Sequence, residues 1–384
     1  MKCETYCLSD VCTFIDYRGK TPPKTTSGIP LVTAKIVKNG MIQEPQEFIA
    51  ENYYDEWMRR GIPKKGDVVF TTEAPLGEVA RIRTDDKLAF AQRIIVLESK
   101  TKQLSADYLF YALQDRVLKS RIEARSTGTT VIGIKAAELK KVEIDLPSLE
   151  EQEKIAAILC SLDDKIELNN KINENLKQQA QAIFDSFYNQ TNSSVGFTEI
   201  IQILGGGTPK TGESSYWNGQ IPFFTPKDTG SPYALTTEKS ITEEGLSHCN
   251  SRLYPVNTVF VTARGTVGKV GMSGVPMAMN QSCYALIGKE IHQLLVYFYT
   301  LKAVDRLKHK ASGAVFDAIT TRDFESESIF KLSDSDSNTF LNIAEPVYQT
   351  ILNTAVTNQQ LSALRDTLLP KLMSGEIDVE DVKI

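Results

Sequence analysis

An internal repeat restricts the fold of this 384-residue chain more than any other feature of its sequence. Pro30 matches Pro222 at an offset of 192 residues, and Ile134 matches Ile319 at an offset of 185. The offset then stays at 185 to the end of both copies. An offset that falls and then becomes constant is what loop deletions in one copy would leave. We therefore expect two units built on the same plan.

Each copy has a front part rich in β-forming residues and a back part rich in helix-forming residues. The front parts contain short apolar runs, such as 67–72 and 256–262, separated by glycine and proline turns. A shorter helical stretch and a long helix follow in each copy. The predicted fold class is α+β, with two β-rich domains in a pseudo-two-fold repeat, separated by two long antiparallel coiled-coil helices. The predicted boundaries are 1–147 for the first β-rich domain, 148–190 for the first long helix, 191–332 for the second β-rich domain, and 333–384 for the second long helix with its C-terminal tail.

The first long helix is marked by its start and by its periodicity. Ser148, followed three residues later by Glu151, is a capping box. Apolar residues then recur at alternating steps of four and three, which is typical of a coiled-coil seam. Asn169, Asn173 and Asn358 lie in the middle of the two seams, where polar residues fix the register of paired helices. The residues predicted to form the interface between the helices are Ile155, Leu159, Leu162, Ile166, Leu176 and Ile183 of the first helix and Val347, Ile351, Leu361 and Leu368 of the second.

The two seams allow two interpretations. Each helix could pack only on its own domain, or the two could pair antiparallel. Strict alternation over this length favours pairing. At about 1.5 Å per residue, such a helix would be roughly 60 Å long, which exceeds the roughly 34 Å of one DNA turn, so the pair could act as a spacer. Pro346 lies inside the second seam and predicts that this helix either starts nearby or kinks there.

Three stretches resemble the specificity subunits of type I restriction–modification systems. Residues 146–166, which begin Leu-Pro-Ser-Leu-Glu-Glu-Gln, are similar to the first conserved helix of that family. Residues 361–377 are similar to the sequence that closes its members, and 207–210 with Trp217 to the opening of their target-recognition domains. The resemblance covers essentially the whole chain in the family's order. The second copy departs from it at 332–336, where the start of the first helix is not repeated.

The resemblance implies a division of labour between this chain and its partners. Each β-rich domain would read one half of a bipartite, asymmetric target in double-stranded DNA. The paired helices would set the gap between the halves and dock two methyltransferase subunits, which a motor–nuclease subunit could join for restriction. The chain itself would be non-catalytic and hold no cofactor. Its partners would use S-adenosylmethionine for adenine methylation, and ATP and Mg²⁺ if the system restricts.

Side chains that read base edges or phosphates are arginine, lysine, asparagine, glutamine, serine and threonine near turns. Glycines beside them, as at Gly128, would let the backbone approach a phosphate closely. For any single residue the alternative is an ordinary solvated loop side chain. The predicted DNA-binding residues are Arg18, Lys20, Lys24, Lys35, Gln92, Arg93, Arg125, Thr127, Thr129 and Thr130 in the first copy, and Thr208, Lys210, Lys227, Arg264, Asn280, Gln281, Lys310 and Ser312 in the second.

The charge distribution is compatible with a DNA reader but not with a non-specific DNA binder. The net charge is −5, and it divides into +3 for 1–147, −4 for 148–190, +1 for 191–332 and −5 for 333–384. Two slightly basic blocks therefore alternate with two acidic ones, and the total argues against indiscriminate binding to phosphates. The six cysteines form no Cys-x-x-Cys pair, and only three histidines accompany them, so we expect no metal site. No signal peptide or membrane span is expected, and the predicted location is the cytoplasm.

Two other classes of protein compete with the DNA-reading hypothesis. The first is a nuclease or methyltransferase with an unrecognised active site. Residues 265–270 superficially resemble a phosphate-binding loop, but Ala263 replaces its first glycine and Val270 its serine or threonine. The second is a coiled-coil scaffold whose end domains bind protein. Selective DNA binding by the assembled complex would distinguish a DNA reader from this scaffold.

Overall fold

The computed structural model describes residues 2–19, 21–100, 102–230, 232–310 and 317–382. The chain divides into two compact units of similar size. The first comprises Met1–Lys165 together with Leu361–Ile384, and the second comprises Ile166–Gln360. Each long helix therefore contributes to both units.

In the first unit, most elements are short strands. The strands are β1 (Glu4–Cys7), β2 (Cys12–Asp16), β3 (Ile29–Val32), β4 (Val37–Lys38), β5 (Met41–Ile42), β6 (Phe48–Ile49), β7 (Val68–Thr72), β8 (Leu76–Arg81), β9 (Ala89–Phe90), β10 (Ile94–Ser99) and β11 (Glu143–Leu146). The helices are α1 (Leu8–Val11), α2 (Tyr54–Trp57), α3 (Ala106–Ala112), α4 (Arg116–Ala124), α5 (Ala136–Leu139) and the long α6 (Leu149–Tyr188). Single 3-10 turns span Ala34–Ile36, Glu51–Tyr53 and, in the tail, Val379–Asp381.

The second unit repeats this pattern. Its strands are β12 (Ser194–Gly196), β13 (Ile201–Gly205), β14 (Trp217–Phe224), β15 (Tyr233–Ala234), β16 (Lys239–Ile241), β17 (Val259–Thr262), β18 (Val270–Ser273), β19 (Ala278–Met279), β20 (Cys283–Gly288) and β21 (Ser328–Phe330). Its helices are α7 (Phe197–Ile200), α8 (Glu243–Ser247), α9 (Gln293–Lys310), α10 (Thr321–Glu325) and the long α11 (Asp334–Ser374), with 3-10 turns at Ser214–Tyr216 and Pro226–Asp228.

The two units share one sheet topology. The main sheet has the order β2-β10-β7-β8 in the first unit and β13-β20-β17-β18-β15 in the second. A three-stranded sheet accompanies it, β6-β3-β9 in the first unit and β16-β14-β19 in the second, and its central strand pairs parallel with the last strand in both. Terminal strands pair as β1 with β11 and as β12 with β21. The predicted fold class, with its repeat of two β-rich domains and two long helices, is confirmed.

Both faces of the main sheet in the first unit are covered, which explains its uninterrupted apolar runs. Along β7, Val68 and Phe70 belong to one buried cluster and Val69 to another. The first cluster also contains residues of α3 and α6. Alternate side chains of one strand therefore enter two cores, as the two-residue period of a strand requires. Packing on both faces therefore holds the sheet that positions the loops at its ends.

Both long helices begin at a serine N-cap, which at α6 is part of a capping box. At the start of α6, the Ser148 amide donates to the Glu151 carboxylate at 3.1 Å, and the Glu151 amide donates to the Ser148 hydroxyl at 3.3 Å. At the start of α11, the Asp336 amide donates to the Ser333 hydroxyl at 3.1 Å, and that hydroxyl contacts the Asp336 carboxylate at 2.7 Å. The departure from the family pattern at 332–336 therefore keeps the physical function of a cap. The helix starts twelve residues before Pro346, so the expectation of a start near this proline is wrong, and a kink there stays a prediction.

The two long helices run antiparallel where they meet in each unit. In the first unit, Asp163 on α6 binds Arg365 on α11 at 2.7 Å and accepts a hydrogen bond from Tyr111 at 2.7 Å. In the second unit, the Asn169 amide donates to the Asn358 side-chain oxygen at 2.7 Å. Among the predicted interface residues, Ile155, Leu159, Leu162 and Ile351 are buried, and Ile166, Leu176, Ile183, Val347, Leu361 and Leu368 are partly buried.

One polar side chain in this seam is only partly satisfied, since the Asn173 amide donates to the Ile351 carbonyl at 3.5 Å. The antiparallel register that joins Asn169 to Asn358 places Asn173 opposite Thr354. The Asn173 side-chain oxygen is buried and, among the described residues, accepts no hydrogen bond. We expect Thr354→Asn, whose amide donor reaches further than the threonine hydroxyl, to donate to this oxygen and raise the free energy of unfolding by about 1 kcal/mol, measured by urea denaturation. Thr357→Asn, at an exposed position on the same helix, is the control. Equal stability of the two variants would contradict the assigned register.

Candidate nucleic-acid interface

In the first unit, an open cleft lies where the strands of the main sheet end. Its volume is about 410 Å³. It brings together Arg18, Gln92, Arg93 and Thr127, four residues predicted to bind DNA. The remaining lining residues are Gly19, Thr72, Glu73, Val131, Gly133, Ile134 and Lys135. Side chains from four separate segments therefore converge on one surface.

Arg18 is positioned by the end of β2. Its guanidinium makes a two-pronged contact with the Asp16 carboxylate, with Nε and Nη2 at 2.8 and 2.6 Å from the two oxygens. Arg60 donates to the carbonyl oxygens of Asp16 and Arg18 at 2.6 and 3.2 Å. Burial alone would raise the pKa of Asp16, but hydrogen bonds from Arg18 and the charges of Arg18 and Arg60 outweigh it and lower the pKa. Arg18 is thus held in a defined direction at the rim of the cleft.

The lowered pKa of Asp16 predicts a pH dependence of stability. A carboxyl group whose pKa is lower in the folded state stabilises the fold above its unfolded pKa of about 3.9, and that contribution is lost as the pH falls through the folded pKa. We therefore expect Asp16→Asn to be less stable than the wild type at pH 7 and to approach it in acid. Urea unfolding measured between pH 7 and pH 3 tests this. A stability difference that stays constant over that range would contradict it.

Gln92 and Arg93 occupy the turn that leads into β10. Both residues have a positive φ, 21° for Gln92 and 67° for Arg93, which is strained for residues other than glycine. The Arg93 carbonyl accepts a hydrogen bond from the Thr72 amide at 2.7 Å. The Arg93 Nε lies 3.0 Å from the Glu73 carboxylate. This turn therefore directs a paired arginine and a glutamine into the cleft.

Thr127 begins a loop that closes on itself beside the cleft. Thr127 and Gly133 exchange backbone hydrogen bonds of 2.8 and 3.0 Å. Gly128 has φ 125°, and a Cβ there would lie 2.1 Å from the Val131 carbonyl oxygen, so the turn itself requires glycine. Thr129 and Thr130 are exposed near the tip. Next to them, Val131 and Ile132 expose 48% and 55% of their surface.

The other predicted residues of the first unit that the structure describes are not part of the cleft lining. Lys24 pairs with Glu47 at 2.7 Å, and Arg125 pairs with Glu138 at 3.4 Å. Lys35 is exposed in the 3-10 turn after β3. Lys20 lies outside the described residues. Their contact with DNA stays a prediction.

The second unit has the same backbone frame at the end of its main sheet. The Ala263 amide donates to the Ser282 carbonyl at 2.8 Å, as the Thr72 amide does to Arg93 in the first unit. The Ile319 amide donates to the Ala263 carbonyl at 2.9 Å, as the Ile134 amide does to Thr72. These bonds align Ser282 with Arg93 and Arg264 with Glu73. An arginine is therefore present in both units, but it precedes β10 in the first unit and follows β17 in the second.

Four predicted residues of the second unit surround this frame. The Thr208 hydroxyl donates to the Gln281 side-chain oxygen, and the Asn280 side-chain oxygen accepts from the Ser282 amide at 3.0 Å. Arg264 is exposed next to them, and its amide donates to the Ser282 carbonyl at 3.3 Å. A Cβ on Gly206 would lie 2.2 Å from the Asn280 carbonyl oxygen. Gly206 thus allows the segment before Thr208 to pack against the turn that begins at Asn280.

Three further candidates of the second unit lie elsewhere in the described residues. Lys210 is exposed, and Lys227 pairs with Glu238 at 3.1 Å. Lys310 forms an ion pair with Glu327, whose side chain is only 2% exposed. This contact gives Lys310 a structural role, because a buried carboxylate needs a charged partner. Ser312 lies outside the described residues.

Sequence reasoning missed two cleft residues, Glu73 and Lys135. Glu73 directly follows β7, and the antiparallel pairing of Thr71 with Ile94 brings that end of β7 to the start of β10. An acidic residue was not sought in a DNA-binding surface, so this pairing was the signal that could have found it. Lys135 follows Ile134, which was recognised only as a residue of the repeat.

The described residues contain no cluster of three or more histidine, cysteine, aspartate or glutamate side chains that could hold a metal ion. Within the same ranges, every helix is too short or too polar to cross a lipid bilayer. The arrangement in both units offers hydrogen-bond donors and acceptors on a fixed frame. Such a surface is suited to reading the edges of bases.

Comparison with known proteins identifies the class to which these surfaces belong. Residues 2–178 and 190–330 match the family described as the type I restriction modification DNA specificity domain. The chain is 24% identical to the MjaIX specificity subunit of a type I restriction enzyme from Methanocaldococcus jannaschii, over 92% of this chain and 88% of that relative. It is 22% identical to the HindI specificity subunit from Haemophilus influenzae, over 82% of this chain and 87% of the relative.

A solved structure supports the same fold. The S subunit of a type I restriction–modification system from M. genitalium has a TM-score of 0.56 and 16% identity, over 97% of this chain and 96% of that chain. The chain therefore belongs to the type I restriction–modification DNA specificity family and contains two regions of it. Within that family it is a specificity subunit, whose function is to recognise DNA sequence.

Proposed function

We propose that the two units read the two halves of a bipartite, asymmetric target in double-stranded DNA. The observation that carries this proposal is the shared backbone frame with different side chains. The first unit presents Gln92, Arg93 and Glu73 where the second presents Gln281, Ser282 and Arg264. A shared frame implies the same mode of approach to DNA, and different donors and acceptors imply different bases. The half-sites are therefore related in geometry but not in sequence.

We also propose that the chain docks two methyltransferase subunits through its long helices. A motor–nuclease subunit joins this complex for restriction. Support comes from an exposed apolar pair on α6. Leu168 and Ile172 lie one helical turn apart and expose 51% and 43% of their surface. At the repeat offset of 185, these positions correspond to Asn353 and Thr357. The two docking sites would therefore not be identical.

In this proposal the chain itself is non-catalytic and holds no cofactor. The methyltransferase subunits use S-adenosylmethionine to methylate adenine, and the motor–nuclease uses ATP and Mg²⁺. The complex acts in the cytoplasm, which agrees with six cysteines that are free in the structure. These roles follow from the division of labour in a type I complex.

The proposal is tested by mapping adenine methylation across a genome or plasmid. The methyltransferase subunit of the complex is expressed with and without this chain. We expect a split motif, methylated on opposite strands of its two halves, only when the chain is present. Methylation that does not depend on the chain would contradict the proposal and favour a scaffold that binds protein.

A further inference from the structure

The ion pair between Glu73 and Arg93 lies in a surface that would face DNA. The two side chains are 43% and 47% exposed, and both line the cleft of the first unit. Backbone contacts hold Glu73 in place, because it pairs with Gly133 in a β-bridge and a Cβ on Gly133 would lie 2.9 Å from the Glu73 Cβ. The backbone and Cβ of Glu73 are therefore fixed, and the ion pair with Arg93 holds its carboxylate beside this turn.

Structural stabilisation does not account for this arrangement. A half-exposed ion pair contributes little to stability, less than the strain of two successive non-glycine residues with positive φ. The second unit makes the equivalent backbone hydrogen bond through Ser282, and neither Gln281 nor Ser282 has a positive φ. The frame thus does not require the strained turn. The strain in the first unit instead serves to direct the Gln92 and Arg93 side chains.

The chemistry of the pair restricts what it can bind on DNA. Phosphates repel a carboxylate, so its favourable partner is an exocyclic amino group, of which the cytosine N4 group is the usual one. An arginine donates to guanine O6 and N7. The two acceptors of guanine and the donor of cytosine lie side by side on the major-groove edge of one base pair. A fixed donor beside a fixed acceptor matches that edge.

We propose that Arg93 and Glu73 together read one G·C base pair in the half-site bound by the first unit, with Arg93 donating to guanine and Glu73 accepting from cytosine. This inference rests on the proposed function of the two units. It makes Glu73 a specificity-determining residue. In the second unit Arg264 stands at the position of Glu73, so the same base-pair step is read differently there.

The test maps the methylation motif of complexes carrying Glu73→Gln or Glu73→Ala in the full-length chain with its methyltransferase. We expect one G·C position in one half-site to become degenerate, with discrimination reduced about tenfold or more, and the other half-site to be unchanged. Arg93→Gln should affect the same position. Glu98→Gln is the matched control, because Glu98 is a surface glutamate at the far end of β10 that pairs with Lys64.

The possible outcomes separate this inference from the proposed function. An unchanged motif with Glu73→Gln would overturn base reading by the pair. A loss of methylation at all positions that is equally large in Glu73→Gln and Glu98→Gln would also overturn base reading by the pair. It would indicate that Glu73 has only a structural role. A wild-type complex without a split motif would contradict the proposed function itself. The intact second half-site serves as the internal control for folding.

Discussion

Truncation of Leu159 to alanine is expected to lower the free energy of unfolding of the chain by about 3 kcal/mol. Leu159 is fully buried on α6, in the cluster of the first unit that also contains Leu369 and Leu372 of α11. Removing its side chain loses apolar burial and leaves a cavity between the helices and the β-rich domain. Urea denaturation followed by circular dichroism measures the loss.

The same helix offers a matched control for this truncation. Leu168→Ala removes the same atoms from a side chain that is 51% exposed, and we expect it to change stability by less than about 0.5 kcal/mol. A loss of stability for Leu168→Ala as large as that for Leu159→Ala would contradict the assignment of the two helix faces.

Introducing charge at the exposed apolar pair, Leu168 and Ile172, is expected to affect assembly with the methyltransferase rather than stability. Leu168→Asp combined with Ile172→Asp should weaken binding of the methyltransferase subunit by about a hundredfold or more, since burying two such side chains stabilises an interface by several kcal/mol. Fluorescence titration of the labelled chain with purified methyltransferase measures the change in Kd. The fold should remain intact because both side chains are already exposed.

A control with the same spacing and added charge is available on α6. Ala157 and Ser161 are both exposed and also lie one turn apart. Ala157→Asp combined with Ser161→Asp should leave the Kd within a few-fold of the wild type. Equal weakening by both double variants would mean that the added charge matters and that Leu168 and Ile172 do not form the docking site.

The helix cap and the DNA-binding surfaces differ in how well the sequence predicts them. The cap of α6 depends on Ser148 and Glu151, three residues apart, so a local pattern predicts it. At the second cap Asp336 takes the place of glutamate, and residues 332–336 do not repeat the sequence that marks the start of the first helix. Four of the predicted DNA-binding residues in the first unit meet in one cleft, but two others, Lys24 and Arg125, are paired with nearby acids outside it. Residue type alone does not distinguish these two groups.

The sequence by itself determined the repeat, the α+β class and the family, and it favoured antiparallel pairing of the long helices, because each depends on local periodicity or on a fixed offset along the chain. Only the tertiary structure decided that Glu73 meets Arg93 and that Lys310 is bound by a buried Glu327. It also decided that Arg264 takes the place of Glu73 in the second unit. These partners are brought together by strand register and packing, and neither leaves a periodic signal in the sequence.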